Sequence, residues 1–394
     1  MDDKKILYDL FKAYYDARKN KRGVTSSLAF EINYEKNLFR LGQEIVAGTY
    51  AIGRSICFIC FKPLKREIFA ADFRDRIVHH LIFNYISPIF ERLFISDSYS
   101  CRTGKGTSYG IKRLDHFIRS CSLNYAKDCY ILKLDIKGYF MAIDKNILYK
   151  KIERHIHNTW LLALIYQVIF HDPTKNCFIK GKKENWIGLP KSKSLFYAKP
   201  GRGLPIGNLT SQLFGNVYLN DFDHFIKYTL KCAYYGRYVD DIVIVHPDKE
   251  YLKSIIPIIR KYLHDELFLE LHPKKIYLQH FQRGVSFLGA VLKPYRMYIR
   301  NRTKGNFYRK IQYWNQLLAD GRKGFSKENQ RKFVASTNSY LGIIGRFNTY
   351  GLRRKMLPEC PSPELKKIFS AADGYSKIIL NDSAILISGR EAEI

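Results

Sequence analysis

The sequence predicts an α+β fold, and three observations carry that expectation. Short β-branched and aromatic runs cluster in the centre of the chain, at residues 129–134, 233–239, 242–245 and 285–292. Longer stretches with apolar residues at helix spacing lie before and between them. Beyond residue 301 strand character gives way to a basic, amphipathic, helical pattern. Runs of strand and helix that are mixed rather than strictly alternating favour antiparallel sheet flanked by helices.

Taken in order, Ile6, Leu7, Leu10, Phe11 and Tyr14 mark a short helix. Phe30, Tyr34, Leu38, Leu41 and Ile45 share one side of a helix over 26–47, with Gly48 as its stop. Apolar runs at 55–61 and 67–71 flank Pro63-Leu64-Lys65-Arg66, which reads as a hairpin with a basic tip. Asp72 is placed to cap a helix from 73 to about 92. The Gly-rich basic stretch Cys101-Arg-Thr-Gly-Lys-Gly precedes a helix to about 124. A strand over 129–134 ends on Asp135, and a helix covers 145–170. Residues 172–203, rich in Lys, Gly and Pro, form a basic excursion, and a helix spans 208–230. Two strands surround a tight turn at Asp240, followed by a helix over 249–266. In the C-terminal region Phe333, Val334, Tyr340, Leu341, Ile344 and Phe347 recur at helix spacing, and the residues after about 360 carry no clear pattern.

Charge narrows the function. Lys and Arg total 66 against 36 acids, a net charge of +30 over 394 residues. That imbalance opposes compaction by self-repulsion, and a polyanionic partner explains it better than solubility does. Apolar runs such as 161–169 are too short to cross a bilayer. The acidic start, Met1-Asp-Asp-Lys-Lys, is not that of a signal peptide. Eight cysteines are too sparse for a disulfide scaffold. Cys57 and Cys60 lack a second pair at zinc spacing and read as strand residues. A reducing, cytoplasmic setting without membrane contact is the expectation.

The chemistry rests on carboxylates. In Gly236-Arg-Tyr-Val-Asp-Asp-Ile-Val-Ile-Val, two adjacent aspartates separate two strand-forming runs. A plain hairpin turn also favours Asp, so this pair alone decides little. Asp135 ends a second apolar strand. Two strands delivering acids to one sheet edge make a divalent-cation site, and three carboxylates can hold two Mg²⁺ ions about 3.5–4 Å apart. Mn²⁺ suits the same oxygens. Phosphoryl transfer asks mainly for positioning and charge stabilisation, which such a site supplies.

Tyr238-Val239-Asp240-Asp241 resembles the Tyr-x-Asp-Asp signature of reverse transcriptases, and Asp135 with Phe140 resembles that family's first catalytic motif. Asp75-Arg-Ile-Val-His-His, Ser98-Tyr-Ser-Cys-Arg, Leu204-Pro-Ile-Gly-Asn-Leu-Thr-Ser-Gln, His272-Pro-Lys-Lys and Val285-Ser-Phe-Leu-Gly follow the family's order over roughly residues 55–295. Ile206-Gly-Asn-Leu-Thr-Ser-Gln, with Arg66-Glu-Ile-Phe-Ala-Ala and Cys101-Arg-Thr-Gly-Lys-Gly, further resembles the enzymes of diversity-generating retroelements. Met141 stands where many relatives have Asp, beside Phe140 and outside the three principal ligands.

The resemblance implies a right-hand polymerase. Fingers would comprise 1–128 with 172–207, an antiparallel palm 129–171 and 208–300, a helical thumb 301–360, and a tail 361–394. It implies an RNA-directed DNA polymerase that copies a template-repeat RNA into cDNA from deoxynucleoside triphosphates, error-prone at adenines, with an accessory variability protein oligomer. Asp135, Asp240, Asp241 and the Ile136 carbonyl would hold metal. Lys275 or its neighbour Lys274, with Lys275 the favoured one, would serve the pyrophosphate. Phe140 would exclude a 2′-hydroxyl, Lys65 and Arg66 would clamp the triphosphate, and Ile206 with Gly207 would lie under the templating pair. Arg102, Lys105, Lys112 and Arg113 would contact template phosphates, and Phe287-Leu288-Gly289 would grip the primer end. Arg302, Lys304, Arg309, Lys310 and Lys323 would line a thumb along the duplex, although for any single one a solvated face is the better reading. Rival readings are a retron, group II intron or defence-associated reverse transcriptase, or a non-catalytic RNA-binding scaffold.

Overall fold

A computed structural model describes residues 3–19, 21, 23–61, 64–320 and 325–381. The chain divides into two compact units, Met1–Gln279 and His280–Ile394. Its strands in the first unit are β1 (Ser55–Cys60), β2 (Arg66–Ala70), β3 (Tyr130–Asp135), β4 (Cys177–Ile179), β5 (Tyr234–Tyr238) and β6 (Asp241–His246), with β7 (Tyr277–His280) at its end. Those of the second are β8 (Val285–Phe287), β9 (Ala290–Lys293), β10 (Arg296–Ile299), β11 (Phe369–Ala371) and β12 (Ile378–Leu380). The α+β expectation is met.

A four-stranded sheet of order β5-β6-β3-β7 centres the first unit. Its β5–β6 and β6–β3 pairings are antiparallel, with Tyr238 opposite Asp241 and Asp135 opposite Asp241. Ile242, Val243, Ile244 and Val245 are all buried. A strand covered on both faces needs no polar alternation, which accounts for the unbroken apolar run. Helices Thr107–Cys121 and Lys249–Leu267 pack on this sheet. Helix Phe73–Leu93 starts where Asp72 accepts the Arg74 N–H at 3.0 Å, and it packs against Asp3–Arg18 and Leu209–Tyr218.

The hairpin β1–β2 is joined by β4, which runs parallel to β1. Residues 62 and 63 of its tip lie outside the described residues. The basic excursion is fastened to this hairpin by one buried acid. Glu67, 1% exposed, accepts hydrogen bonds from Trp186 Nε1 at 2.7 Å, Ser194 Oγ at 2.8 Å and the Leu195 N–H at 2.6 Å.

Three expected helices are each broken by a capping residue or a change of pitch. The stretch 26–47 becomes Thr25–Glu31 and Tyr34–Val46, with Asn33 leaving helical geometry between them. The stretch 145–170 becomes Lys145–Glu153 and Thr159–Phe170, because the Asn158 side chain caps a new start at Leu161 N. The stretch 208–230 becomes Leu209–Tyr218, Asn220–His224 and a π-helical turn, Phe225–Thr229.

In the second unit β8, β9 and β10 form their own antiparallel sheet. The boundary expected at 300 therefore falls inside this unit. Helices Asn301–Ala319, Lys327–Ile344 and Tyr350–Glu359 follow and bury Phe307, Ile311, Trp314, Phe333, Leu341 and Ile344. The expected tail is corrected in part. Helix Pro363–Lys366 and the β11–β12 pair add Leu365, Ile368, Phe369 and Ile378 to the same core. Lys323 and residues 382–394 lie outside the described residues. Among the described residues no helix is long and apolar enough to cross a membrane.

Candidate active site

The two central acids lie at a two-residue hairpin turn, Asp240 within it and Asp241 at the start of β6. Tyr238 pairs with Asp241, leaving Val239 and Asp240 as the connection. Val239 has φ +55, a left-handed conformation that a β-branched residue rarely takes. Asn or Gly would be the local choice for such a turn, so the surroundings must impose it. The Asp240 carbonyl accepts the Ile136 N–H at 3.3 Å, which ties the turn to the chain leaving β3. There Ile136 bridges Leu271, and the bonds of that bridge come from the Lys137 N–H and the Asp135 carbonyl. The Ile136 carbonyl takes no part in them.

Three carboxylates thus converge at one edge of the sheet. Burial and the charges of Asp241 and Asp135 push the Asp240 carboxyl up to about 6, against the opposing pull of Lys275. Lys275 Nζ lies 2.9 Å from both oxygens of Asp135. Lys133 Nζ lies 3.2 Å from Asp241 Oδ1. Lys274 is exposed on the neighbouring turn, so of the two lysines it is Lys275 that reaches the acids. Hard oxygen donors whose charges repel one another are what Mg²⁺ or Mn²⁺ would take. Among the described residues no three such side chains close around a single point. The expected ligands share an edge without forming a closed cage, and two ammonium groups supply the positive charge there.

Other expected residues take the following places. Arg66 begins β2, and its charge reaches Tyr238, opposing the rise that burial imposes on that phenol. Lys65 donates to the Ile187 carbonyl at 2.5 Å and lies over the Phe61 ring. Phe140 packs on Tyr139 and on Gly215, where an added Cβ would meet the Phe140 ring at 3.4 Å. Ile206 joins Phe140 on an apolar cluster of Cys57, Phe69, Met141 and Leu195. The segment carrying it is laced to both sides. Leu204 N–H donates to the Phe140 carbonyl and Phe69 N–H to the Ile206 carbonyl, each at 2.8 Å. Gly207, φ +129, comes so near β2 that a Cβ would sit 2.9 Å from Ile68 Cγ2 and from the Phe69 carbonyl oxygen. Only glycine suits both conditions.

Other expected contacts are placed differently. Arg102 is a structural clamp, not an open phosphate contact: its side chain is 5% exposed. It donates to Glu91 Oε2 at 2.9 Å, to the Ile95 carbonyl at 2.6 Å and to the Ser98 carbonyl at 3.0 Å, at the end of helix Phe73–Leu93. Arg113 is held by both oxygens of Asp97, at 2.7 and 3.1 Å. Lys105 donates to the Ser96 carbonyl, and Lys112 is exposed on its helix. In the second unit Phe287 is buried at 1% exposure, leaving Leu288 (φ +48) and Gly289 (φ +91) as the turn of the β8–β9 hairpin. Two residues of β3 and β5 that carried no sequence signal touch the turn and its acids directly: Lys133 reaches Asp241 and Arg237 donates to the Val239 carbonyl.

Several known proteins are similar to this chain. Protein YkfC of Escherichia coli K12 is 25% identical over 248 residues, covering 55% of this chain and 60% of that protein. The group II intron-encoded protein LtrA of Lactococcus lactis is 22% identical over 358 residues, covering 73% of this chain and 55% of its own length. The chain therefore spans little more than half of either relative. Apo telomerase from Candida tropicalis superposes with a TM-score of 0.46 at 12% identity, covering 79% of this chain and 60% of that one. The family model described as reverse transcriptase (RNA-dependent DNA polymerase) matches residues 65–292. That span holds Asp135, Asp240 and Asp241 and exceeds half the chain, so this protein belongs to the reverse transcriptase family.

Proposed function

We infer that the chain is an RNA-directed DNA polymerase that extends a primer 3′-hydroxyl with deoxynucleotides opposite an RNA template, releasing pyrophosphate. The carrying observation is the Val239-Asp240 turn meeting Asp135 across the β3–β6 pairing. Asp135, Asp240, Asp241 and the Ile136 carbonyl would hold Mg²⁺ or Mn²⁺, which when bound stabilises charge on the attacking and leaving oxygens. Lys275 turns from Asp135 to the leaving pyrophosphate as its proton donor. Arg66, helped by Lys65, clamps the triphosphate. Phe140 stands where a 2′-hydroxyl would clash. Lys112, exposed on its helix, approaches the template backbone, and Leu288-Gly289 presents close backbone to the primer end.

The subtype we propose is a diversity-generating retroelement enzyme, copying a template-repeat RNA in the cytoplasm beside an accessory protein oligomer. Ile206 supports it. An aliphatic side chain offers the templating pair only apolar contact, which loosens geometric checking. Both partners of such a complex would be basic, so their contact would rest on apolar patches or bridging RNA. A group II intron-type enzyme is the second reading, because LtrA aligns with 73% of this chain.

Primer extension on RNA with deoxynucleotides and Mg²⁺, beside an Asp240→Ala control, tests the chemistry; silence of the wild-type protein with template RNA and accessory protein present overturns it. Sequenced products separate the subtypes. Errors concentrated opposite adenine fit the retroelement, and faithful copies fit the intron or retron type. If Ile206→Gln leaves the adenine error rate unchanged, the fidelity argument is wrong.

A further inference from the structure

We propose that Arg237 is a positioning residue for the catalytic turn, an inference that rests on the polymerase reading above. Its guanidinium is fully buried, as is the Asp223 carboxylate beside it. Arginine carries five N–H donors in a fixed fork. Here all five are used. Nε donates to Asp223 Oδ1 at 2.7 Å, and one terminal nitrogen donates to Asp223 Oδ2 at 2.5 Å and to Ser98 Oγ at 3.3 Å. The other terminal nitrogen donates to Asn216 Oδ1 at 3.3 Å and to the Val239 carbonyl at 3.0 Å.

That last bond is the functional one. It grips the carbonyl of the residue forced into left-handed geometry, immediately before Asp240. The remaining four bonds fix the fork itself. Asp223 is further held by the Tyr235 hydroxyl, and Asn216 by the Ser100 carbonyl at 2.7 Å. Main chain completes the anchor: the Arg237 N–H donates to the Asp97 carbonyl and the Tyr99 N–H to the Arg237 carbonyl, each at 2.9 Å. Gly236 permits this docking, since a Cβ there would lie 2.8 Å from Tyr99 Cζ. The segment Ser98-Tyr-Ser-Cys is thereby bound along β5, and its register is passed to the turn through one side chain. Lysine keeps the charge but has no planar fork, so it cannot hold Asp223 and reach Val239 together.

The test measures single-nucleotide extension by full-length Arg237→Lys, Val239→Gly and the double variant, with folding checked by near-UV circular dichroism and RNA binding. Displacing catalytic groups by about 1 Å costs about 10²-fold, so Arg237→Lys should lose about that in kcat with the deoxynucleotide KM unchanged. Glycine adopts the left-handed turn without strain. In the Val239→Gly background the same substitution should therefore lose only about tenfold, because residues sharing one interaction are non-additive. An equal loss in both backgrounds, or an unchanged kcat in folded Arg237→Lys, overturns the proposal. If Arg237→Lys does not fold, Ser98→Ala decides: one weakened hydrogen bond of the fork should lower kcat about fivefold at constant KM, and a wild-type kcat overturns it. Activity in the wild type that is lost in Asp240→Ala keeps the polymerase reading whatever Arg237 does. A silent wild type sinks both.

Discussion

Replacing Asp240 by Asn should raise the thermal stability of this protein while abolishing nucleotide addition. The three carboxylates at the sheet edge repel one another, and burial adds to the cost, so the Asp240 carboxyl titrates near 6 rather than at its ordinary value of 3.8. A raised carboxyl pKa means that the folded state binds the proton more tightly than the unfolded chain does. The penalty is therefore absent below about pH 4, grows as pH rises toward 6 and is complete above it. A shift of about two units corresponds to about 3 kcal/mol. Asp240 retains partial contact with solvent, which screens the repulsion, so about 1–2 kcal/mol is the expected gain. The assay is a pair of melting curves in EDTA, for wild type and Asp240→Asn, at pH 4 and pH 8. The variant should melt higher at pH 8 and together with wild type at pH 4. Added Mg²⁺ should narrow the difference at pH 8. A variant equal to or less stable than wild type at pH 8 would refute the idea that the site stores electrostatic strain.

Glu67→Ala leaves three donors, two of them buried and one half-buried, without their acceptor. Denaturant unfolding should show a loss of about 3–5 kcal/mol, and limited proteolysis should open the 172–203 stretch first. Gly207→Ala should cut extension by about 10²-fold through displacement of the Ile206 segment, with RNA affinity in a filter-binding assay nearly unchanged. Phe140→Val should relax the preference for deoxy- over ribonucleotides by about 10–100-fold, read from competition between the two triphosphates. Lys275→Met should lower kcat for single-nucleotide extension, because the leaving pyrophosphate loses its proton donor.

The carboxylate edge was legible because its signals are local. A strand ending on Asp135 and a hairpin turning at Asp240 are both written within ten residues of sequence, and the register that joins them follows from the apolar runs. What stayed hidden depends on distant partners. Arg102 reads as an exposed loop cation, yet Glu91 and two carbonyls at a helix end bury it. Arg237 looks like one more basic residue until Asp223, fourteen positions away, is seen against it. Helix breaks were missed for a different reason: Asn33 and Asn158 each interrupt a continuous apolar stripe, and a stripe by itself does not distinguish one helix from two end to end.

The β11–β12 pair bears on how this chain can be shortened. Asn338 holds Ile378 from both sides, donating to its carbonyl at 2.9 Å and accepting its N–H at 2.7 Å. A chain cut after residue 360 would lose Leu365, Ile368, Phe369 and Ile378 together and leave Phe333 and Leu341 facing water. Such a fragment should be sticky and prone to associate through the uncovered helix faces. A trimmed version intended for expression should therefore keep everything through Asn381, whose N–H closes the strand pair onto the Ile368 carbonyl at 2.9 Å.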